Sequence, residues 1–227
     1  MMRHLIRSYL LPLLFLNGAL FSAEIPLAPS TTWRLKETTT IGDHPTTVFG
    51  HPQVVADATS EAIHFNGSSD GLLVPVNPLA GWPEFTVEAL ICPETGGAGE
   101  QRFFHLEDEE GNRVMMEIRL TNDGWALDTF LLTKKPESKC TLLDRTKLHP
   151  TERWTWVALV YAKGRMTSYV EGVRELTGDV DFSPMISGRL SLGVRQNKMY
   201  WYKGSLGGIR FHPTALPAEK LQQVKFK

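Results

Sequence analysis

Six polar residues stand at strand-like positions in this chain. They are Glu88 in FTVEALI, His105 in RFFHL, Glu117 and Arg119 in MMEIRL, Asp128 in WALDTF, and Arg195 in LGVRQN. Because side chains alternate along a strand with a period of two, each of them turns away from a packed core. If their strands share one concave sheet, the set lines a groove with carboxylates, guanidiniums and an imidazole. Such a groove suits a sugar's hydroxyls, or the carboxylate of a uronic acid with Arg119 or Arg195 forked onto it. The stretch MYWY (199–202) adds Tyr200 and Trp201, rings able to stack on a pyranose. The competing reading is a solvated sheet face whose charges pair across strands, as Glu117 would with an arginine.

Other chemistry-bearing stretches are less specific. HLEDEEGNR (105–113) holds four consecutive acids, Glu107 to Glu110, that run into a Gly111-Asn112 turn. Paired catalytic carboxyls need roughly 5–10 Å of separation across a cleft, which a turn does not provide, so these acids read as a solvated turn. In FNGSSDGLLV (65–74), Asn66 and Asp70 carry oxygens, but one carboxylate falls short of the six or more oxygen ligands calcium takes. Both residues serve well as turn formers, and no cofactor is expected. ETGGAGEQ (94–101) lacks the lysine and the strand–loop–helix setting of a phosphate loop. A serine elbow, a Cys/His pair and an HExxH motif are all missing.

The elements that must position these groups are short strands. Phe85 to Ile91 alternates apolar and polar residues. Arg102 to Leu106 and Arg113 to Leu120 flank the Gly111-Asn112 turn, and Trp125 to Leu132 follows Asn122-Asp123-Gly124. Trp154 to Tyr161 (WTWVALVY) is almost continuously apolar and reads as a strand buried on both faces. Met166 to Val170, Leu190 to Val194 and Leu206 to Phe211 follow, and the stretch 133–150 reads as a loop. Pro213 ends the last strand, and Pro217 fits the first turn of a short helix, Ala218 to Gln222. Strands about ten residues apart with turns between them indicate an antiparallel sandwich or barrel.

The 227-residue chain opens with Arg3, His4 and Arg7 ahead of the apolar run SYLLPLLFLNGALFSA. That is the layout of a secretory signal peptide (1–23), too short for a comfortable membrane span. The Pro- and Ser/Thr-rich residues 24–32 read as a linker, and 33–227 as one domain. Removing Arg3 and Arg7 with the leader takes the net charge from −1 to about −3. Without a basic block, nucleic acid and anionic membranes are poor partners. The expected location is periplasmic or extracellular. In that oxidising setting Cys92 and Cys140 are either one disulfide or two separate buried thiols.

The order of AIHFNGSSDGLLVP (62–75), FTVEALICPE (85–94), WTWVALVYAKGRMTSYVEGVRE (154–175), LSLGVR (190–195) and GSLGGIRFHPTALPAEKLQ (204–222) resembles the laminin-G-like, concanavalin A-like jelly-roll domains. The resemblance covers residues 33–222. It implies an all-β fold of two stacked antiparallel sheets, one concave, closed by a short C-terminal helix. Members are mostly glycan- or protein-binding modules, with a minority of glycosidases and lyases. The acids of HLEDEEGNR depart from the alternating Glu-x-Asp pattern of retaining glycosidases of this fold. The EIR at 117–119 resembles lyases of the fold, in which Arg119 would neutralise a uronate while His105 and a tyrosine moved the proton. The leading expectation is a non-catalytic module binding carbohydrate or a cell-surface glycan through Glu88, His105, Glu117, Arg119, Asp128, Arg195 and Trp201. A polysaccharide-active enzyme and a protein-contacting adhesive domain are the alternatives.

Overall fold

Alternating apolar residues build nearly every element of the chain. The computed structural model describes residues 29–56 and 61–224. The signal segment and most of the linker lie outside the described residues. The early strands are β1 (Thr31–Arg34), β2 (Thr40–Ile41), β3 (His44–Pro45), β4 (Thr47–Phe49), β5 (Gln53–Ala56), β6 (Glu61–Asn66) and β7 (Gly71–Val74). The central strands are β8 (Phe85–Pro93), β9 (Glu100–Glu107), β10 (Arg113–Thr121), β11 (Gly124–Lys134) and β12 (Glu137–Leu143). Then come β13 (Thr155–Ala162), β14 (Arg165–Val170), β15 (Val173–Asp179), β16 (Arg189–Leu192) and β17 (Lys203–His212).

Two large antiparallel sheets result, a jelly-roll sandwich. One has eight strands in the order β15-β14-β13-β8-β17-β6-β5, with β1 added on β17. The other has seven, in the order β12-β11-β10-β9-β16-β7-β4. Between them lies one continuous core, to which Phe65, Phe85, Ile91, Leu159 and Phe211 contribute from the first sheet and Leu72, Phe104, Met116, Leu127 and Leu190 from the second. Edge-on aromatic contacts give the core shape: Trp33 meets Phe211 at 4.9 Å between ring centroids, and Phe85, Tyr161 and Phe182 form a trio. The Tyr161 hydroxyl accepts the Phe182 amide and donates to the Phe182 carbonyl, pinning the chain beyond β15 to the sandwich.

The β2–β3 hairpin turns on Gly42 and Asp43, both at positive φ. At Gly42 a side chain is excluded twice, because a Cβ would also fall 2.2 Å from Nε1 of Trp33.

β17 has an unusual set of neighbours. One side pairs throughout with β8. The other pairs with β6 over Lys203–Leu206 and with β1 over Gly208–Phe211. Gly207 sits at the changeover as the extra residue of a bulge against β8.

Several expectations are corrected. The 133–150 stretch is not a loop: it contains β12, hairpin-paired with β11. The C-terminal helix is a single 3-10 turn, Ala218–Lys220, with Pro217 as its N-cap. That turn closes with two backbone bonds, Lys220 amide to Pro217 carbonyl at 3.0 Å and Leu221 amide to Ala218 carbonyl at 3.1 Å. The first strand begins at Thr31, and Ser30 already bonds His212, so pairing starts ahead of residue 33. Cys92 and Cys140 form no disulfide. They stand on β8 and β12, strands of different sheets, and a bridge must bring two Cα atoms within about 7 Å.

The chain after Pro213 lies across the outward face of the eight-stranded sheet, with Leu216 and Leu221 against Ala158 and Val160. Two carboxylates on that sheet receive its backbone. Glu88 Oε2 accepts the Gln222 amide at 2.6 Å and Glu171 Oε2 the Val224 amide at 2.7 Å. Glu88 is only 1% exposed and also meets His212 Nε2 at 2.9 Å and Arg210 NH1 at 3.3 Å. Removing a buried charge from such a cluster leaves its donors unmet. Glu88→Ala should therefore cost about 3 kcal/mol in denaturant unfolding and open the segment after Pro213 to limited proteolysis; an unchanged midpoint and digestion pattern would refute this role.

Candidate functional site

The polar residues expected to share one face divide between two. Glu88 is on β8 of the eight-stranded sheet, where it anchors the C-terminal segment. His105 (β9), Glu117 and Arg119 (β10) and Asp128 (β11) lie together on the outward face of the seven-stranded sheet. Register sets Arg102, Glu117 and Asp128 side by side, then Glu100 and Arg119, with His105 opposite Met115 one row away. Arg195 and Trp201, both half-buried, belong to the 193–202 loop between β16 and β17.

Around Arg102 and His105 this face is covered rather than open to water. The 193–202 loop docks along β9, with the Gly193 amide on the Phe103 carbonyl and the Arg102 amide on the Tyr200 carbonyl. The Tyr200 ring lies 3.7 Å from the Arg102 guanidinium carbon. Beneath it the charges pair with one another, although Arg102 Nε and Asp128 Oδ1 are buried without a hydrogen-bond partner. Arg102 reaches Glu117 at 3.0 Å and Glu100 at 3.1 Å, while Arg119 reaches Glu100 at 2.7 Å, Glu117 at 3.2 Å and, through Nε, Asp128 at 2.8 Å. Glu117 is 2% exposed, Asp128 1% and His105 0%.

Two buried carboxylates, Glu117 and Asp128, and the half-exposed Glu100 share two arginines here. Burial pushes the Glu117 carboxyl up to about 7; Arg102 and Arg119 oppose the rise and Asp128 adds to it. Burial raises Asp128 too, against the pull of Arg119. At the more exposed Glu100 burial acts upward, but hydrogen bonds from Arg102 and Arg119 win and the carboxyl ends below its usual range. His105 goes the other way. Burial, with Arg195, Arg113 and Arg102 nearby, lowers it to about 3. Its imidazole is neutral, with Nδ1 accepting the Gln196 amide at 3.1 Å and Nε2 lying 3.3 Å from Glu107.

An accessible hollow on the opposite face of the sandwich was missed in the sequence. Where β17 exchanges β6 for β1, the outward surface dips into a trough of about 500 Å³. Its floor is Gly207 and Gly208. Leu90 and the half-exposed Trp156 form one wall, register partners across β8 and β13. The other wall is Arg34 and Lys36, with Glu61 at the end of β6. A Cβ at Gly207 would come 3.0 Å from Leu90 Cδ2, so a larger residue there would fill the trough. WTWVALVY read as doubly buried, yet β13 leaves Trp156 half-exposed on the outward face, beside the trough. The adjacent glycines of GSLGGIR were the available signal, since two bare backbone units in a strand mark a bulge or a close approach.

In the turn at 66–70, Asn66 Oδ1 accepts the amides of Ser68, Ser69 and Asp70, and Asp70 Oδ1 accepts that of His51. These oxygens close the chain on itself. Among the described residues no helix is long and apolar enough to cross a membrane.

A family model described as the concanavalin A-like lectin/glucanases superfamily matches residues 66–222. The chain belongs to that superfamily. A search of curated proteins returned no match. Among solved structures, the chain is similar to domain 4 of AbnA, a GH43 extracellular arabinanase from Geobacillus stearothermophilus in complex with arabinotriose. Identity is 20%, coverage 84% of this chain and 97% of that one, and the TM-score 0.58. It is similar also to the Ruminococcus gnavus IT-sialidase CBM40 bound to α2,3 sialyllactose, at 15% identity, 70% and 94% coverage, and a TM-score of 0.52. The binding domain of botulinum neurotoxin serotype D matches at 12% identity and a TM-score of 0.63 over 84% of this chain, which spans about half that domain's length (49%). At these identities the likeness is one of fold.

Two groups in the ion network titrate in opposite senses. Glu117, ordinarily near 4.5, keeps a proton to about 7 when folded, so its contribution to stability falls as pH rises from 4.5 to 7. His105, ordinarily near 6.5, refuses a proton down to about 3, so its contribution falls as pH drops from 6.5 toward 3. Stability relative to the unsubstituted chain should climb with rising pH for Glu117→Gln and with falling pH for His105→Asn, each by on the order of 2 kcal/mol. Parallel unfolding curves across pH 4–8 would show that the network does not set these protonation states.

Proposed function

We propose that the chain is a non-catalytic glycan-binding module and that its ligand lies in the trough over Gly207 and Gly208. The observation that carries this reading is an indole, Trp156, standing beside a glycine floor with cationic and carboxylate side chains around it. Sugar recognition uses that combination: an apolar platform for one ring face and a few convergent polar groups for the hydroxyls. The arabinotriose and sialyllactose complexes of similarly folded domains support it at the level of fold. Export through the 1–23 segment accords with a ligand outside the cell.

The residues that would move protons in an enzyme favour binding over catalysis. His105 is fully buried with both ring nitrogens facing protein groups. Glu117, Arg119 and Asp128 are committed to each other. A general acid or base must reach the substrate within hydrogen-bond distance, and the 193–202 loop stands in the way.

The test is calorimetry and glycan-array binding with the mature chain. Trp156→Ala and the trough-filling Gly207→Leu should each weaken binding about tenfold or more while leaving the fold intact by circular dichroism. Loss with Trp201→Ala, and not with Trp156→Ala, would move the ligand to the seven-stranded face beside Arg119 and Arg195. Cleavage of a uronic-acid polymer, abolished by His105→Ala, would replace the binding reading with that of a lyase.

A further inference from the structure

The trough's walls carry a charge pattern that narrows its ligand. Thr32, Arg34 and Lys36 alternate along β1 and its extension, so all three side chains face outward while Trp33 and Leu35 enter the core. Arg34 and Lys36 are exposed, and neither is paired with a carboxylate among the described residues. Arg210, the third cation at the trough, is already matched by Glu88 at 3.3 Å. Among the described residues, Glu61 is the only carboxylate on the lining. The unmatched charge is therefore two cations against one anion, with both cations on the wall across from Trp156. Arg34 and Lys36 also border an adjoining hollow of about 230 Å³, where Glu37 and Asp43 join the lining, but neither cation is within ion-pair distance of those carboxylates.

We propose that this site selects acidic glycans, with the sugar ring against Trp156 and its carboxylate or sulfate held by Arg34 and Lys36. The inference rests on the reading of the trough as a glycan site. A guanidinium and an ammonium projecting from alternate residues of one strand stand about 7 Å apart along it. That spacing lets the fork of Arg34 take one anionic oxygen pair while Lys36 acts as a point charge on the same or the next sugar. A neutral sugar would leave both cations unmatched and would lose their contribution. Because the site is open to water, that contribution is screened by salt.

The experiment compares ligands that differ in the acid alone: α2,3-sialyllactose with lactose, and oligogalacturonate with its methyl ester. Heparin oligosaccharide with its desulfated form separates sulfate from carboxylate. We expect at least one acidic member to bind about tenfold more tightly than its neutral partner, the advantage shrinking between 50 and 500 mM salt. The Arg34→Ala/Lys36→Ala double variant should bring the acidic ligand down to the neutral one's affinity, whereas Trp156→Ala should weaken both. Equal binding of acidic and neutral members, unaltered in the double variant but lost in Trp156→Ala, would overturn the acidic selectivity and leave the glycan site standing. Binding to no member of the panel, or binding indifferent to Trp156→Ala, would overturn the site and the selectivity together.

Discussion

The buried carboxylate of Glu88 is the constraint on which the eight-stranded sheet depends. A charge taken out of water must be met by donors, and here they come from every direction the chain arrives. Arg210 and His212 reach it from β17 and Gln222 from the C-terminal segment, while Ser30 joins through the far nitrogen of His212. The two ends of the described chain are thereby fixed to the centre of one sheet. β1 can then take over from β6 as the neighbour of β17, since its N-terminal end is held at Ser30. The trough at Gly207 follows from that changeover, and Arg210 at its edge is held by the same carboxylate.

The seven-stranded sheet solves a different problem. The 193–202 loop covers β9 on its outward face, and the charges buried there and on β10 and β11 pair with one another. Burial is the larger force on Glu117, which holds its proton to about 7 against the pull of Arg102 and Arg119 and with a smaller push from Asp128. His105 lies beside Arg102, Arg113 and Arg195 and stays neutral for the same reason. An acid that keeps its proton and a base that refuses one, within one row of each other, are what burial produces by disfavouring both charged forms; the guanidiniums reinforce the shift of His105 and oppose that of Glu117. Strongly shifted groups of this kind also occur in structural networks, and burial is the property that separates the two cases.

How much of this was legible in the sequence depends on what period two can say. It told which residues turn from the core, and Glu88, His105, Glu117 and Asp128 all do. It could not tell which sheet a strand joins, because β8 and β10 carry the same pattern and part company only through pairing with β17 or β9. Nor could it reveal that Gln196 and Tyr200 would lie over the face, since their contacts span about ninety residues or more. β12 was hidden because Glu137, Lys139 and Thr141 give an edge strand an exposed, polar side, a pattern that suits sheet edges but reads as loop. Trp156 was hidden by the opposite effect. Its apolar neighbours implied burial on both faces, and its exposure depends on two glycines fifty residues later.

The division of the polar residues between two faces bears directly on function. Groups whose proton affinities are displaced lie on the outward side of the seven-stranded sheet. The open trough, with its indole and unmatched cations, lies on the outward side of the other sheet. Packed sheets sit about 10 Å apart, and the outward side chains add to that distance. A substrate in the trough therefore cannot touch His105 or Glu117, and a proton held at Glu117 has no route to it through the hydrophobic core. Glu61 alone cannot supply the acid and base that glycoside hydrolysis divides between two carboxyls. What the trough offers is shape, an aromatic platform and charge, the features on which the proposed binding role rests.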